Sequence, residues 1–133
     1  MKVLIATQGT TLDSPMAKRF GHAPYYLKVD SDTMQVQVID NAEHPDETHA
    51  TIPQMVKRGV ELFITGNIGP QAFALTDSLN RKVALARKMT AREALERLQE
   101  GELEILTAPT LKRSVHDHAH HSPRKSAQEK AVT

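Results

Sequence analysis

Two kinds of β signal follow one another along this chain, and their order restricts the fold more than any other feature. "YYLKVD" (residues 25–30) and "MQVQVID" (34–40) alternate apolar with polar residues and flank the turn sequence "SDT". Successive side chains on a strand point to opposite faces, so such runs predict a hairpin with one solvated face. "KVLIAT" (Lys2–Thr7), "ELFIT" (Glu61–Thr65) and "KVALA" (Lys82–Ala86) are instead nearly unbroken apolar runs. Strands of that kind are covered on both faces, as in a parallel sheet. The expected fold is therefore α/β, with a mixed sheet that is antiparallel on the hairpin side, parallel on the other, and covered by helices.

The covering helices are legible from apolar spacing. Ile52, Met55, Val56 and Val60 predict a helix over Ala50–Arg58 with Gly59 as its C-cap. Ala72, Phe73, Leu75 and Leu79 mark a second in "PQAFALTDSLN" (70–80). "TAREALERLQEG" is the clearest: Thr90 and Glu93 form a capping box, Ala94, Leu95 and Leu98 make the stripe, and Gly101 closes it. "TTLDSPMAKRFGHAP" (10–24) reads as a long loop with one helical turn near Pro15–Lys18, and "ELEIL" (Glu102–Leu106) as a short edge strand. From about Pro109 large apolar side chains almost vanish. The predicted organisation is one domain over residues 1–108 and a disordered, His-rich tail over 109–133.

Composition narrows the chemistry. With no cysteine, disulfides, thiol nucleophiles and Cys-ligated metal centres are excluded. With 17 basic and 16 acidic residues there is no charge excess to favour nucleic acid. No window approaches a membrane span, and the start is too short for a signal h-region, so the expectation is a soluble cytoplasmic protein. The absence of Trp, with two Tyr and three Phe, predicts a mainly aliphatic core.

Ligands of open α/β sheets bind beyond the carboxyl ends of the parallel strands. "TGNIGP" (65–70) lies at such an end, just before a helix whose first amides point outward. Backbone donors and the positive helix end together favour an anion there. Gly66 and Gly69 allow either close backbone approach or positive φ, although a tight turn with Pro70 at the first helical position uses the same residues. "RFGHAP" supplies Arg19, Gly21 and His22, "ARKMT" supplies Arg87 and Lys88, and His44 and His49 lie in the loop after the hairpin. Asp13, Asp30, Asp32 and Asp40 are too scattered for two-metal hydrolysis. Ser14, Ser31 and Ser78 lie in no nucleophile elbow, and the glycines match no phosphate-loop signature. In the tail, "HDHAHH" places His116, His118, His120 and His121 within six residues, a set suited to weak binding of divalent metal.

Three stretches, "LDSPMAKRFGHAPYYLKVD" after "MKVLIAT", "ELFITGNIGPQAF" and "MTAREALERLQEGEL", resemble the dinitrogenase iron–molybdenum cofactor biosynthesis family over about residues 1–106. That family includes carriers of nitrogenase cofactor precursors and a molybdenum–copper-sulfide orange protein. The resemblance implies a ribonuclease-H-like fold of about five strands. It also implies a non-catalytic carrier of a metal–sulfur cluster (Fe/Mo or Mo/Cu type) that brings its own sulfide, with a cluster donor or acceptor protein as partner. The implied binding residues are Arg19, Gly21, His22, His49, Gly66, Asn67 and Gly69, with His22 and His49 as candidate ligands. At "HATI" (49–52) the chain lacks the glycine-rich helix start that many members carry after this histidine. Two other classes of function remain open. One is a phosphate- or nucleotide-binding enzyme using "TGNIGP"; the other is a regulatory module whose tail buffers metal. Oligomeric state and cluster identity are not encoded in any motif.

Overall fold

The structure is a computed structural model that describes residues 1–41 and 48–111; the side chains of Thr48 and His49 also lie outside the description. Nine elements run in the order β1 (Lys2–Thr7), β2 (Tyr25–Asp30), β3 (Gln35–Asp40), α1 (Thr48–Lys57), β4 (Val60–Thr65), α2 (Pro70–Ser78), β5 (Lys82–Leu85), α3 (Ala91–Gln99) and β6 (Glu104–Ile105). They form one sheet of order β3-β2-β1-β4-β5-β6. β1 pairs antiparallel with β2 and parallel with β4, β4 pairs parallel with β5, and β6 closes the far edge antiparallel. The expected mixed, ribonuclease-H-like sheet is present, with a sixth strand where about five were expected.

The unbroken apolar runs belong to strands covered on both faces. Leu4, Ala6 and Phe63 face one core with Ile52 and Met55 of α1 and Ala72 of α2. Val3, Ile5, Leu62 and Ile64 face the other with Ala94 and Leu95 of α3. The helix ends follow the sequence closely. Thr90 Oγ1 accepts from Glu93 N–H at 3.1 Å, and Thr90 N–H donates to Glu93 Oε1 at 2.8 Å, completing the capping box. Gly59 and Gly101 both sit at positive φ (93° and 74°), the conformation that a helix C-terminus requires of glycine.

Two expectations change, and one is refined. Val36 and Val38 of β3 are 38% and 43% exposed, so among the described residues nothing covers β3 on either face except at Ile39. The helical turn near Pro15–Lys18 does not form. Met16 bridges Thr7, Pro15 bridges Thr90, and Ala17 N–H donates to Ala6 O at 2.9 Å. Met16 and Ala17 feed cores on opposite faces of the sheet, which requires extended backbone there. Finally, the few aromatic residues are concentrated. Phe20 lies 5.1 Å from Tyr26 and 6.2 Å from Phe63, so an aromatic cluster sits in the otherwise aliphatic core directly beneath the "RFGH" turn.

Candidate functional site

The "RFGH" turn is held from below and from both sides. Phe20 and Ala23 are buried, while Arg19 and His22 stay exposed. The Tyr26 hydroxyl donates to Phe20 O at 2.8 Å, and Asn41 Nδ2 donates to Ala23 O at 2.8 Å. Asn41 N–H donates to Pro24 O at 2.9 Å. Buried bonds of this kind fix a loop because losing one strands a polar group away from water. Loop 17–24 and the end of β1 enclose a cleft of about 410 Å³ lined by Gln8, Ala17, Lys18, Arg19, His22 and Pro24. Among the described residues its lining has two permanent cations, one imidazole and no carboxylate.

The "TGNIGP" loop joins this cleft through its backbone. Asn67 N–H donates to Lys18 O at 2.7 Å, and Phe20 N–H donates to Asn67 O at 2.8 Å. Arg19 and Asn67 thereby form a short parallel bridge beyond the end of β4. The guanidinium of Arg87 donates to Asn67 Oδ1, tying in the turn after β5 and leaving the Asn67 amide nitrogen as its remaining polar group. Lys88, next in that turn, is held at φ 59°.

Gly66 answers why glycine stands at this position. A Cβ there would lie 2.5 Å from Ala17 O and 2.6 Å from Lys18 O. The atoms that approach it belong to the chain's own loop. Gly69 instead is the N-cap of α2, with extended backbone (φ −82°, ψ 171°) and no side-chain cap. α1 returns into β4 through Arg58 and Gly59, so its ten residues, about 15 Å long, place its first turn, with the His49 backbone, at this same end of the sheet. Pro53 carries no N–H, so the His49 carbonyl has no i+4 donor.

The three helices thus point their N-termini to one end, but they differ in availability. In α3, Ala91 N–H donates to Ser14 O, Arg92 N–H to Leu12 O and Glu93 N–H to Thr90 Oγ1, which closes its first turn to ligands. The Asp13 carboxyl beside Arg92 is held below its usual range by the hydrogen bond and charge of that guanidinium. The N-termini of α1 and α2 lie at the same end of the sheet as the loop that carries Lys18, Arg19 and His22.

Sequence reading missed several contributors. Lys18 and Gln8 line the cleft, and neither carries a motif of its own. Thr65 is fully buried, and its hydroxyl has no hydrogen-bond partner among the described residues. It closes β4 immediately before Gly66, on the same face as Phe63. Buried hydroxyls are normally paired, which makes this one an exception among the described residues. Thr110 and Leu111 return from beyond β6 to bond the backbone of Ile68; composition had placed both in the tail. The side chains of His44 and His49, and all of His116, His118, His120 and His121, lie outside the described residues. Among the described residues no group of three His, Asp or Glu side chains could hold a bare metal ion, and no helix is long and apolar enough to cross a membrane.

Among the described residues, the carboxyl end of this mixed α/β sheet gathers backbone amides, cations and one imidazole. Comparison with known proteins narrows the class. The sequence profile described as dinitrogenase iron–molybdenum cofactor matches residues 1–101, and the chain belongs to that family. No curated protein matches it. Among solved structures, the apo orange protein of Desulfovibrio gigas superposes with a TM-score of 0.76 at 25% identity, covering 83% of this chain and 96% of that one. A NifB-like protein from Thermotoga gives 0.72 at 29% identity, covering 84% and 97%. A dinitrogenase-like protein from Methanocaldococcus jannaschii shares the fold, with a TM-score of 0.64 at 21% identity, covering 82% and 97%.

Proposed function

We propose that this protein is a non-catalytic carrier of an anionic metal–sulfur cluster or cofactor precursor, of the Fe/Mo or Mo/Cu type, exchanged with a cluster donor or acceptor protein. The cluster is cargo. The observation that carries the reading is the cleft lined by Lys18, Arg19, His22 and Gln8 in a member of this family. Its donors fit a cluster that brings its own sulfide: the chain has no thiolate and the described residues form no carboxylate cage, so charge, amide donors and imidazole ligation are what they offer for retention. Arg19 complements the negative charge. His22 and His49 are the candidate ligands, Asn67 offers its amide nitrogen, Gly21 and Gly69 add backbone beside them, and Gly66 serves the site by letting the Ala17–Lys18 backbone close on the end of β4.

Phosphate-processing chemistry has less support. Among the described residues no carboxylate lines the cleft to serve as a general base or to hold a metal pair. The test is retention of a soluble thiomolybdate through gel filtration under anaerobic conditions. The wild type should elute with molybdenum and sulfide bound. His22→Ala with His49→Ala, or Arg19→Ala, should elute without it while melting normally. Full retention by the double histidine variant would remove the ligand assignment, and retention by none of the proteins, wild type included, would remove the carrier reading.

A further inference from the structure

The two edges of the sheet are built differently. β6 spans only Glu104–Ile105, which leaves little backbone for another strand. β3 is six residues long, pairs with β2 in unbroken register, and carries no charge or proline from Gln35 to Ile39. Edge strands are normally shortened, bulged or charged so that they do not recruit another strand. Among the described residues nothing pairs with the outer side of β3.

Its backbone is set for one more strand. Asn41 N–H donates to Pro24 O, which fixes the phase of the β2–β3 ladder, so residues 35, 37 and 39 turn their amides and carbonyls to β2. The same groups of Val36 and Val38 point outward. Their side chains lie on the face of Val29 and Leu27, their partners on β2, which belong to the core beneath α3.

We propose that β3 pairs antiparallel with β3 of a second copy of this chain about a two-fold axis at Gln37, joining two sheets into one. Side chains and backbone agree on this register. With Gln37 opposite Gln37 of the second copy, Val36 lies opposite Val38 and Val38 opposite Val36, and each such pair can exchange two backbone hydrogen bonds. The apolar row of Val29 and Val36 then continues into Val38 and Leu27 of the second copy, extending the core across the junction. On the polar face the two Gln37 amides meet with a Lys28 behind each, and amide oxygens accept from both neighbours. Shifting the register one way puts Val36 opposite Asp40. Shifting it the other way puts Val38 opposite Met34, whose φ of 62° takes it out of the strand.

A six-residue strand is about 20 Å long, and pairing two of them falls below the roughly 1,200 Å² of a standard interface. The dimer is therefore weak and concentration-dependent. Its axis stands normal to the sheet and reverses strand direction, so the two carboxyl-end clefts open at opposite ends and neither is covered. Pairing of this kind is independent of the carrier reading.

The experiment uses the full-length chain, followed by analytical ultracentrifugation and amide hydrogen exchange from about 10 μM to 1 mM. The wild type should shift from monomer toward dimer, with exchange at Val36 and Val38 slowing as concentration rises. Val38→Lys, at a position already 43% exposed, should stay monomeric and melt like wild type. The chain has no cysteine, so Gln37→Cys introduces a single thiol. Across the axis its Cα atoms would lie about 4.5 Å apart, within disulfide range. Mild oxidation should link Gln37→Cys into a dimer, and Gln35→Cys, placed opposite Ile39, several-fold less. A wild type that is monomeric at every concentration would overturn the pairing. So would association undiminished in Val38→Lys, or equal cross-linking of the two cysteine variants. Exchange at Val36 and Val38 that is slow at every concentration would show the chain covering its own edge and overturn the second copy. None of these results bears on thiomolybdate retention, so failure here is distinguishable from failure of the carrier reading.

Discussion

Gly66→Ala is the substitution whose cost can be worked from the coordinates. The new methyl group would sit 2.5 Å from Ala17 O and 2.6 Å from Lys18 O, and both are backbone atoms without a rotamer to yield. Ordinary contact lies near 3.5 Å, so the loop must retreat by about 1 Å. That retreat stretches two bonds, Asn67 N–H to Lys18 O at 2.7 Å and Phe20 N–H to Asn67 O at 2.8 Å. Losing them costs about 0.5–1.5 kcal/mol each, and overpacking a buried site adds about 1–3 kcal/mol. The sum is roughly 2–6 kcal/mol, which for a folded body of this size lowers the thermal midpoint by about 8–24 °C. Gly69→Ala is the control. Its backbone is extended, and losing a glycine N-cap costs about 1 kcal/mol or less. Scanning calorimetry of the two variants decides the matter. A Gly66→Ala midpoint within a couple of degrees of wild type would refute the claim that this glycine exists for loop contact.

Four further outcomes follow from the same structure. Thr65→Val keeps the shape of a buried side chain while removing its unpaired hydroxyl, so chemical denaturation should show unchanged or slightly raised stability; thiomolybdate retention should fall if that hydroxyl meets the cargo. Tyr26→Phe removes the shorter of two bonds to the Phe20 carbonyl, leaving only Ala23 N–H at 3.4 Å, and should cost about 0.5–1.5 kcal/mol, with faster hydrogen exchange across residues 20–24 and the aromatic contacts preserved. Asp13→Asn removes a carboxylate whose folded pKa is depressed by Arg92, so its stabilisation is present above the ordinary carboxylate pKa and lost as pH falls through the depressed one. The small gap in denaturation midpoint between variant and wild type should therefore be visible at pH 7 and close at strongly acid pH; a gap that persists in acid would contradict the pairing. Deleting residues 115–133, which leaves the bonds of Thr110 and Leu111 to Ile68 intact, should move the melting temperature by very little.

How much of this was legible in the sequence depends on the range of the interactions involved. The strand runs, the capping box of Thr90 and Glu93, and the glycine ends at Gly59 and Gly101 are local signals, and each is realised close to its expected limits. Burial of β3 could not be read in the same way. Alternation in "MQVQVID" shows a face that could be buried, but whether a helix covers it depends on where α3 packs. The Pro15–Lys18 segment is extended because Met16 and Ala17 are claimed by two different cores, a long-range demand invisible in local composition. At the candidate site, the glycines and histidines carry motif signals. The cleft wall of Gln8 and Lys18, the Asn67–Arg87 tie and the Thr110–Ile68 bonds arise from contacts between residues 10 to 42 positions apart.

The most direct measurement of the central claim is made on protein isolated anaerobically from the cells that produce it, without added metal. Its visible absorption, elemental content and acid-labile sulfide are determined on one sample. The carrier account predicts a visible chromophore with molybdenum, iron or copper and inorganic sulfide in a fixed ratio to the chain, all released together on acidification. Colourless protein with no acid-labile sulfide, from cells that are actively making metal–sulfur cofactors, would contradict it.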